Sequence, residues 1–126
     1  MKKKITILWL DDVRDPNDFK DFYISLFTSV YDEIVWVKNY NEFVNYITNN
    51  EFPDYIFFDH DLGEELNGYD CCKFVVDFMM DHNLDPNIPS FIVQSANSVG
   101  RDNIRGLINN YIEFYNNDCK KLWTEF

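Results

Sequence analysis

Several features that would decide the class of this chain at once are missing from it. No run of about 18 or more apolar residues occurs, so no transmembrane helix is indicated. The opening MKKKITILWLDD carries only a short apolar run after its lysines, and that run ends in two aspartates. A secretory leader needs a longer apolar region and a small-residue cleavage site, so the stretch reads as a buried first strand. No C-x-x-C spacing exists among Cys71, Cys72 and Cys119, which argues against a zinc site. Cys71 and Cys72 are neighbours and poorly placed to bridge each other, so the three read as reduced thiols of a cytoplasmic protein. Basic residues are few: 11 Lys and Arg stand against 22 Asp and Glu, a formal net charge of -11. That excludes a general basic field for nucleic-acid backbone or anionic membranes. It leaves open a single phosphate held at a metal, because a bound cation inverts the local field. No linker, repeat or low-complexity tract interrupts the 126 residues, and the expectation is one domain spanning 1–126.

The chain is 46% hydrophobic and 18% aromatic, enough to bury a core. Four short apolar runs stand out: Ile5–Leu10, Ile34–Val37, Tyr55–Phe58 and Phe91–Val93. They are near-continuous rather than alternating, as strands covered on both faces are. Helical patterns fall between and after them. Asn39 with Glu42 resembles a capping box, followed by a stripe of Phe43, Tyr46 and Ile47. From Gly68, a stripe of Cys72, Val75, Val76 and Met79 runs until Asn83–Pro89 closes the helix. After Gly100, the residues Ile104, Leu107, Ile108, Tyr111, Ile112 and Tyr115 form the clearest stripe. Asp15–Val30 is ambiguous, with Pro16 at a helical first turn and Phe19, Phe22, Tyr23 and Leu26 on one face.

This alternation predicts an α/β fold: a three-layer, doubly wound parallel sheet with strand order 2-1-3-4(-5). The chain is too short for a full dinucleotide-binding fold and has no G-x-G-x-x-G after its first strand. A fifth strand is weakly signalled at most, its one candidate being Cys119–Trp123. In such sheets ligands bind beyond the carboxyl ends of the strands, where the strand order reverses. Here that point lies between the first and third strands. Asp11 and Asp12 follow the first; Asp59, His60 and Asp61 follow the third. Two carboxylates ~4 Å apart repel by roughly 4 kcal/mol at an effective dielectric near 20. Such a cluster takes up protons or binds a cation, and oxygen-only donors favour Mg²⁺, Mn²⁺ or Ca²⁺. The expected metal ligands are Asp11, Asp12, Asp59 and Asp61, with Mg²⁺ or Mn²⁺ as the cofactor. The bland alternative is that these aspartates cap a helix and shape turns.

His60 is a candidate acid/base, with a core histidine as the alternative. His82 sits at a helix end and reads as a favourable C-terminal charge. Ser95, Asn97 and Gly100 follow the fourth strand, where hydroxyl, amide and helix N-terminus suit phosphate oxygens. Arg14, Arg101 and Arg105 are candidates for balancing phosphate charge. Gly63 and Gly68 bracket an E-E-L-N loop beside the acids.

The W-L-D-D-V-R of residues 9–14, the F-D of 58–59, Gly68 and the S-A of 95–96 resemble two-component receiver domains of flavodoxin-like fold. A narrower resemblance rests on L-D-D-V-R-D-P (10–16), F-D-H-D-L-G (58–63) and S-A-N-S-V-G-R-D-N-I (95–104). These are similar to the cyclic-phosphate-processing receiver family, a divergent branch found mainly in phage and bacterial genomes. The resemblance implies that the acid pair and Asp59 hold Mg²⁺, that Asp59 stands at the phosphoacceptor position, and that Ser95 contacts phosphate. It departs from signalling receivers in having no lysine–proline after a fifth strand: Lys120 and Lys121 lie at the very end. It departs from the narrower family in carrying Gln94 where a histidine often stands.

Three functions follow from the resemblance. One is metal-dependent hydrolysis of a cyclic phosphate on a nucleotide or RNA end, with Asp59 and His60 catalytic and Arg14, Ser95, Asn97 and Gly100 on the phosphate. A second is a phosphoaccepting signalling domain with a kinase or protein partner. A third is a module that binds a nucleotide without turning it over. The same residues serve all three.

Overall fold

The computed structural model describes residues 4–19 and 32–119. Four parallel strands, β1 (Thr6–Leu10), β2 (Glu33–Val37), β3 (Tyr55–Phe58) and β4 (Ser90–Val93), form one sheet in the order β2-β1-β3-β4. The helices are α1 (Tyr40–Asn49), α2 (Gly68–Asp81) and α3 (Ser98–Phe114), with a 3-10 turn at Pro16–Phe19 and a π turn at Tyr115–Cys119. The doubly wound order expected from the sequence is the one observed. Of the ambiguous Asp15–Val30 segment, only the 3-10 turn falls within the described residues. The candidate fifth strand meets them only at Cys119, the end of the π turn; Lys120 and Lys121 lie outside.

The strands form because their side chains divide between two apolar faces. Leu8, Leu10, Val37, Ile56, Phe58 and Val93 face one way and pack on α1, α2 and α3 through Phe43, Ile47, Val75, Met79, Ile104 and Ile108. Ile7, Trp9 and Phe57 face the other way, with Ile34, Trp36, Tyr55, Ile92 and Phe19 against them. Each such side chain taken from water contributes about 1.5–3 kcal/mol. Cys71 and Cys72 are free and buried in the first of these clusters. Burial holds both thiols up, Cys72 at about 12, which keeps them in the thiol form at neutral pH.

Helix starts are set by asparagines. Asn39 caps α1, accepting from the Glu42 N–H at 2.9 Å, while the Glu42 carboxylate returns to the N–H of Lys38 at 3.1 Å. The box is therefore shifted one residue from the pattern read in the sequence. A full capping box opens α2: Asn67 accepts from the Asp70 N–H at 3.2 Å, and Asp70 accepts from the Asn67 N–H at 2.8 Å. At the other end of α2, His82 stacks on Phe78 with ring centres 4.0 Å apart, and its Nδ1 lies 2.8 Å from the Phe78 carbonyl.

Register places the chemistry. Leu10 is level with Val37 on one side and Phe58 on the other, and Phe58 is level with Val93. The ladder runs one residue further, through Asp11 N–H to Val37 O (3.1 Å), Asp59 N–H to Leu10 O (3.0 Å) and Gln94 N–H to Phe58 O (2.9 Å). The loops after β1, β3 and β4 thus leave the sheet at one height and open onto a common edge.

Candidate metal and phosphate site

The loop after β1 is built around Asp11. Its Oδ1 accepts from the backbone N–H of Val13 (3.0 Å) and Arg14 (2.7 Å), folding the chain back. Two indoles pin that fold: Trp36 donates to the Asp11 carbonyl at 2.7 Å, and Trp9 donates to the Arg14 carbonyl at 2.9 Å. The Asp11 carboxylate is 1% exposed, and its Oδ2 has no hydrogen-bond partner among the described residues. The Arg14 Nε lies 3.8 Å from that oxygen.

Asp12 and Asp59 complete a triangle with Asp11, carboxylate oxygens of the three lying within 4.8 Å of one another. Asp59 is 7% exposed. Burial first, and then the charge of Asp11, push its carboxyl up to about 6; Arg14 opposes this, while Asp12 and Asp61 add to it. Three carboxylates, two of them buried, with one orphaned oxygen, suit a hard divalent cation: such an ion takes oxygen donors and supplies the missing partner. Asp11, Asp12 and Asp59 are the residues that would hold it. Gly63, with φ +68, brings the next loop against this triangle; a Cβ there would meet the Asp12 Oδ2 at 3.2 Å.

Asp61 stands apart from that triangle. Its side chain is 66% exposed, and its Oδ1 lies 2.8 Å from His60 Nδ1 and 3.4 Å from the Asn97 amide nitrogen. The hydrogen bond to His60 is the main reason its carboxyl is held below the usual range, with Asn97 assisting. The structure therefore groups Asp61 with His60 and Asn97 in a second cluster beside the first.

Two glycines fix His60. The backbone of Gly68 lies on the Asp59–His60 peptide, where a Cβ would collide with the Asp59 carbonyl, and its N–H donates to His60 O at 2.8 Å. On the other side the His60 ring packs against Gly100, where a Cβ would run into the ring. The starts of α2 and α3 thus clamp the residue that follows the central aspartate. The E-E-L-N loop between Gly63 and Gly68 is tethered as well, Glu64 accepting from the Tyr40 N–H at the start of α1 (2.9 Å).

Ser95 is buried, and its Oγ accepts from the Asn97 N–H at 3.2 Å. Asn97 caps α3 by accepting from the Gly100 N–H at 2.9 Å. The Ser95 hydroxyl proton and the Asn97 amide group are what this loop offers to a ligand. Arg14 spans the site, its Nη1 donating to the Gln94 carbonyl at 2.9 Å. Arg101 turns back on the Ser95 carbonyl at 3.5 Å, and Arg105 is exposed on α3. The two tryptophan clamps escape sequence reasoning; for Trp9 the signal is a tryptophan two residues before the acid pair.

Solved structures of similar fold include the bacteriophytochrome response regulator AtBRR, at 17% identity and TM-score 0.58, covering 83% of this chain and 76% of that one. A response regulator receiver protein from Sinorhizobium medicae WSM419 aligns at 14% identity and TM-score 0.54, covering 86% of this chain and 98% of that one. At these identities the likeness is one of fold. No curated protein matches the sequence. The family model described as the cyclic-phosphate processing receiver domain matches residues 6–110, which takes in both strand-end acid motifs and the Ser95–Gly100 loop. The chain belongs to the cyclic-phosphate processing receiver domain family.

Proposed function

We propose that this protein is a single receiver-like domain that hydrolyses a cyclic phosphate on a nucleotide or RNA end, with Mg²⁺ or Mn²⁺ bound by Asp11, Asp12 and Asp59. The observation that carries the reading is the acid triangle with its orphaned, buried Asp11 oxygen, set one residue from an imidazole that two glycines hold in place. A cation there supplies Lewis-acid polarisation of the phosphate and offsets its charge. The chain's own groups do the rest. Ser95 donates its hydroxyl proton to a phosphate oxygen, and Asn97 and the Gly100 end of α3 orient the same group. Arg14 balances charge from the Gln94 side. Water adds to phosphorus and one ring P–O bond breaks; His60 gives its proton to the departing ribose oxygen, and the proton released by the added water returns the imidazole to its acid form. Asp61, at 2.8 Å, positions the imidazole.

Buried free thiols and the acidic charge fit a cytoplasmic setting, in host cytoplasm if the gene is a phage one. The test is turnover of a panel of nucleoside and ADP-ribose cyclic phosphates by wild type, Asp59→Asn and His60→Ala. Loss of the cation site in the first variant and a fall of about 10²–10⁴-fold in kcat in the second are expected. Full activity in both would refute the assignment.

A second reading has one observation in its favour: Asp59 occupies the place from which receivers accept a phosphoryl group. In that case acetyl phosphate and Mg²⁺ would leave an acid-labile adduct on Asp59.

A further inference from the structure

Arg14 stands where the two halves of the proposed site meet. On one side its Nε lies 3.8 Å from Oδ2 of Asp11, the buried oxygen with no hydrogen-bond partner among the described residues. On the other its Nη1 donates to the carbonyl of Gln94, the residue before Ser95, at 2.9 Å. The guanidinium therefore lies between the oxygen that a cation would take and the loop that would hold phosphate. We infer that Arg14 is a movable counter-ion that links the two: it offsets the charge of Asp11 before a cation binds and turns to the phosphate afterwards, so that cation and phosphate bind together and each binds weakly alone. The inference rests on the metal and phosphate reading above and adds the regulation of that site.

Three observations lead there. The first is competition. A guanidinium 3.8 Å from Asp11 Oδ2 repels an incoming divalent ion and offsets part of the negative charge that ion needs. Asp59 feels the same guanidinium, whose charge opposes the effect of burial on its carboxyl. Arg14 thus acts on two of the three acids in the triangle. The second is a free side chain on a fixed backbone. The N–H groups of Val13 and Arg14 are bound to Asp11 Oδ1 at 3.0 and 2.7 Å, and the Trp9 indole holds the Arg14 carbonyl at 2.9 Å. The Arg14 side chain is 37% exposed, and the acceptor of its Nη1 is a neutral carbonyl. At 3.8 Å its Nε is too far from Asp11 for a hydrogen bond, so the guanidinium can leave that carboxylate without breaking one. The third is the alternative partner. Ser95 follows Gln94 directly, with Asn97 and the Gly100 end of α3 just beyond. A phosphate held by that loop offers oxygens to a guanidinium as charge-assisted, bidentate acceptors. It draws the positive charge away from Asp11 and adds negative charge of its own, and both changes favour the cation. By reciprocity the cation raises the affinity for phosphate by the same factor.

The experiment titrates Mn²⁺ binding by electron paramagnetic resonance, which reads the free ion, in chloride and in sulfate at equal ionic strength. Sulfate is the probe because it is a tetrahedral dianion whose charge does not change near neutral pH. Wild type, Arg14→Gln and Arg14→Lys are compared, with circular dichroism showing each one folded. Wild type should bind Mn²⁺ about tenfold more tightly in sulfate than in chloride. Arg14→Gln should bind Mn²⁺ about tenfold more tightly than wild type in chloride and gain less from sulfate. Arg14→Lys keeps the charge and should stay near wild type in chloride. A merely structural arginine gives the opposite sign, with Mn²⁺ bound more weakly by Arg14→Gln in both salts. That result would overturn the proposal. So would equal affinity of wild type and Arg14→Gln in chloride, or a sulfate gain that Arg14→Gln retains in full. Absence of Mn²⁺ binding to wild type in either salt would remove both the linkage and the metal site. The linkage and the esterase part cleanly when cyclic phosphates replace sulfate. Linked binding without hydrolysis keeps the role of Arg14 and removes the esterase. Hydrolysis by a protein whose Arg14→Gln variant binds Mn²⁺ no more tightly keeps the esterase and removes the linkage.

Discussion

At the scale of single residues, Asp59 has the most telling environment. Its carboxyl is pushed from 3.8 up to about 6 by burial and by Asp11, so between pH 4 and 6 the folded, metal-free protein holds a proton that the unfolded chain has released. This group therefore favours folding most below pH 4, and the contribution is lost as pH rises through about 6. The metal-free protein should lose about 1–2 kcal/mol across that window, allowing for partial solvent screening of the open side of the cluster. Asp59→Asn should be more stable than wild type at pH 7–8 in chelator and should converge with it below pH 4; urea titrations at the two pH values check this. Protons and cation compete for the same oxygens. The Mn²⁺ dissociation constant should therefore rise roughly tenfold per pH unit below about 6. Gly100→Ala tests the clamp on His60. The added Cβ meets the imidazole ring, and the ring must move. Turnover should fall by about 10²-fold, as expected for a misplaced acid/base, while the far-ultraviolet circular dichroism stays that of wild type.

At the scale of elements, the caps carry stability that can be measured. Asn67→Ala removes the acceptor for the Tyr69 and Asp70 N–H groups and should cost about 0.5–2 kcal/mol. Its effect reaches the site, because α2 begins at Gly68, whose backbone lies on the Asp59–His60 peptide. The elements show what can be read from a sequence. Strands such as Tyr55–Phe58 are legible because both faces are covered, leaving four apolar residues in a row. The stripe of Cys72, Val75, Val76 and Met79 is legible because α2 buries that side alone. The convergence of Asp11, Asp12 and Asp59 follows from topology once the strand order is inferred. The separation of Asp61 from that triangle does not follow, because Asp59 and Asp61 stand in one loop and only the loop's backbone path decides which way each carboxylate points. The indole of Trp36 reaches Asp11 across a β1–β2 register that periodicity does not encode.

At the scale of the whole molecule, the chain carries a net charge of -11 and draws three carboxylates together at one edge of its sheet. Self-repulsion of this kind is relieved by a divalent cation more than by monovalent salt. A cation that binds only the folded state stabilises by RT ln(1 + [L]/Kd), about 2.7 kcal/mol at a hundredfold excess over Kd. Mg²⁺ or Mn²⁺ should therefore raise Tm by several degrees, and the increment should vanish in Asp59→Asn. No helix among the described residues is long and apolar enough to cross a membrane. The fold by itself does not name a reaction, since receiver-like sheets host several, and the function has to be argued from the site.

If the residues around Asp59 direct water onto the phosphorus of a cyclic phosphate, the oxygen added to the product comes from solvent. The most direct test is phosphorus NMR of the wild-type protein with Mn²⁺- or Mg²⁺-supplemented nucleoside cyclic phosphates in ¹⁸O-labelled water, with chelator as the control. A ring-opened monoester whose signal shows one ¹⁸O on phosphorus is expected, with no product when chelator is present. An unchanged spectrum for every compound, together with an acid-labile phosphoryl group on Asp59 after acetyl phosphate, would contradict it and make the protein a phosphoaccepting receiver.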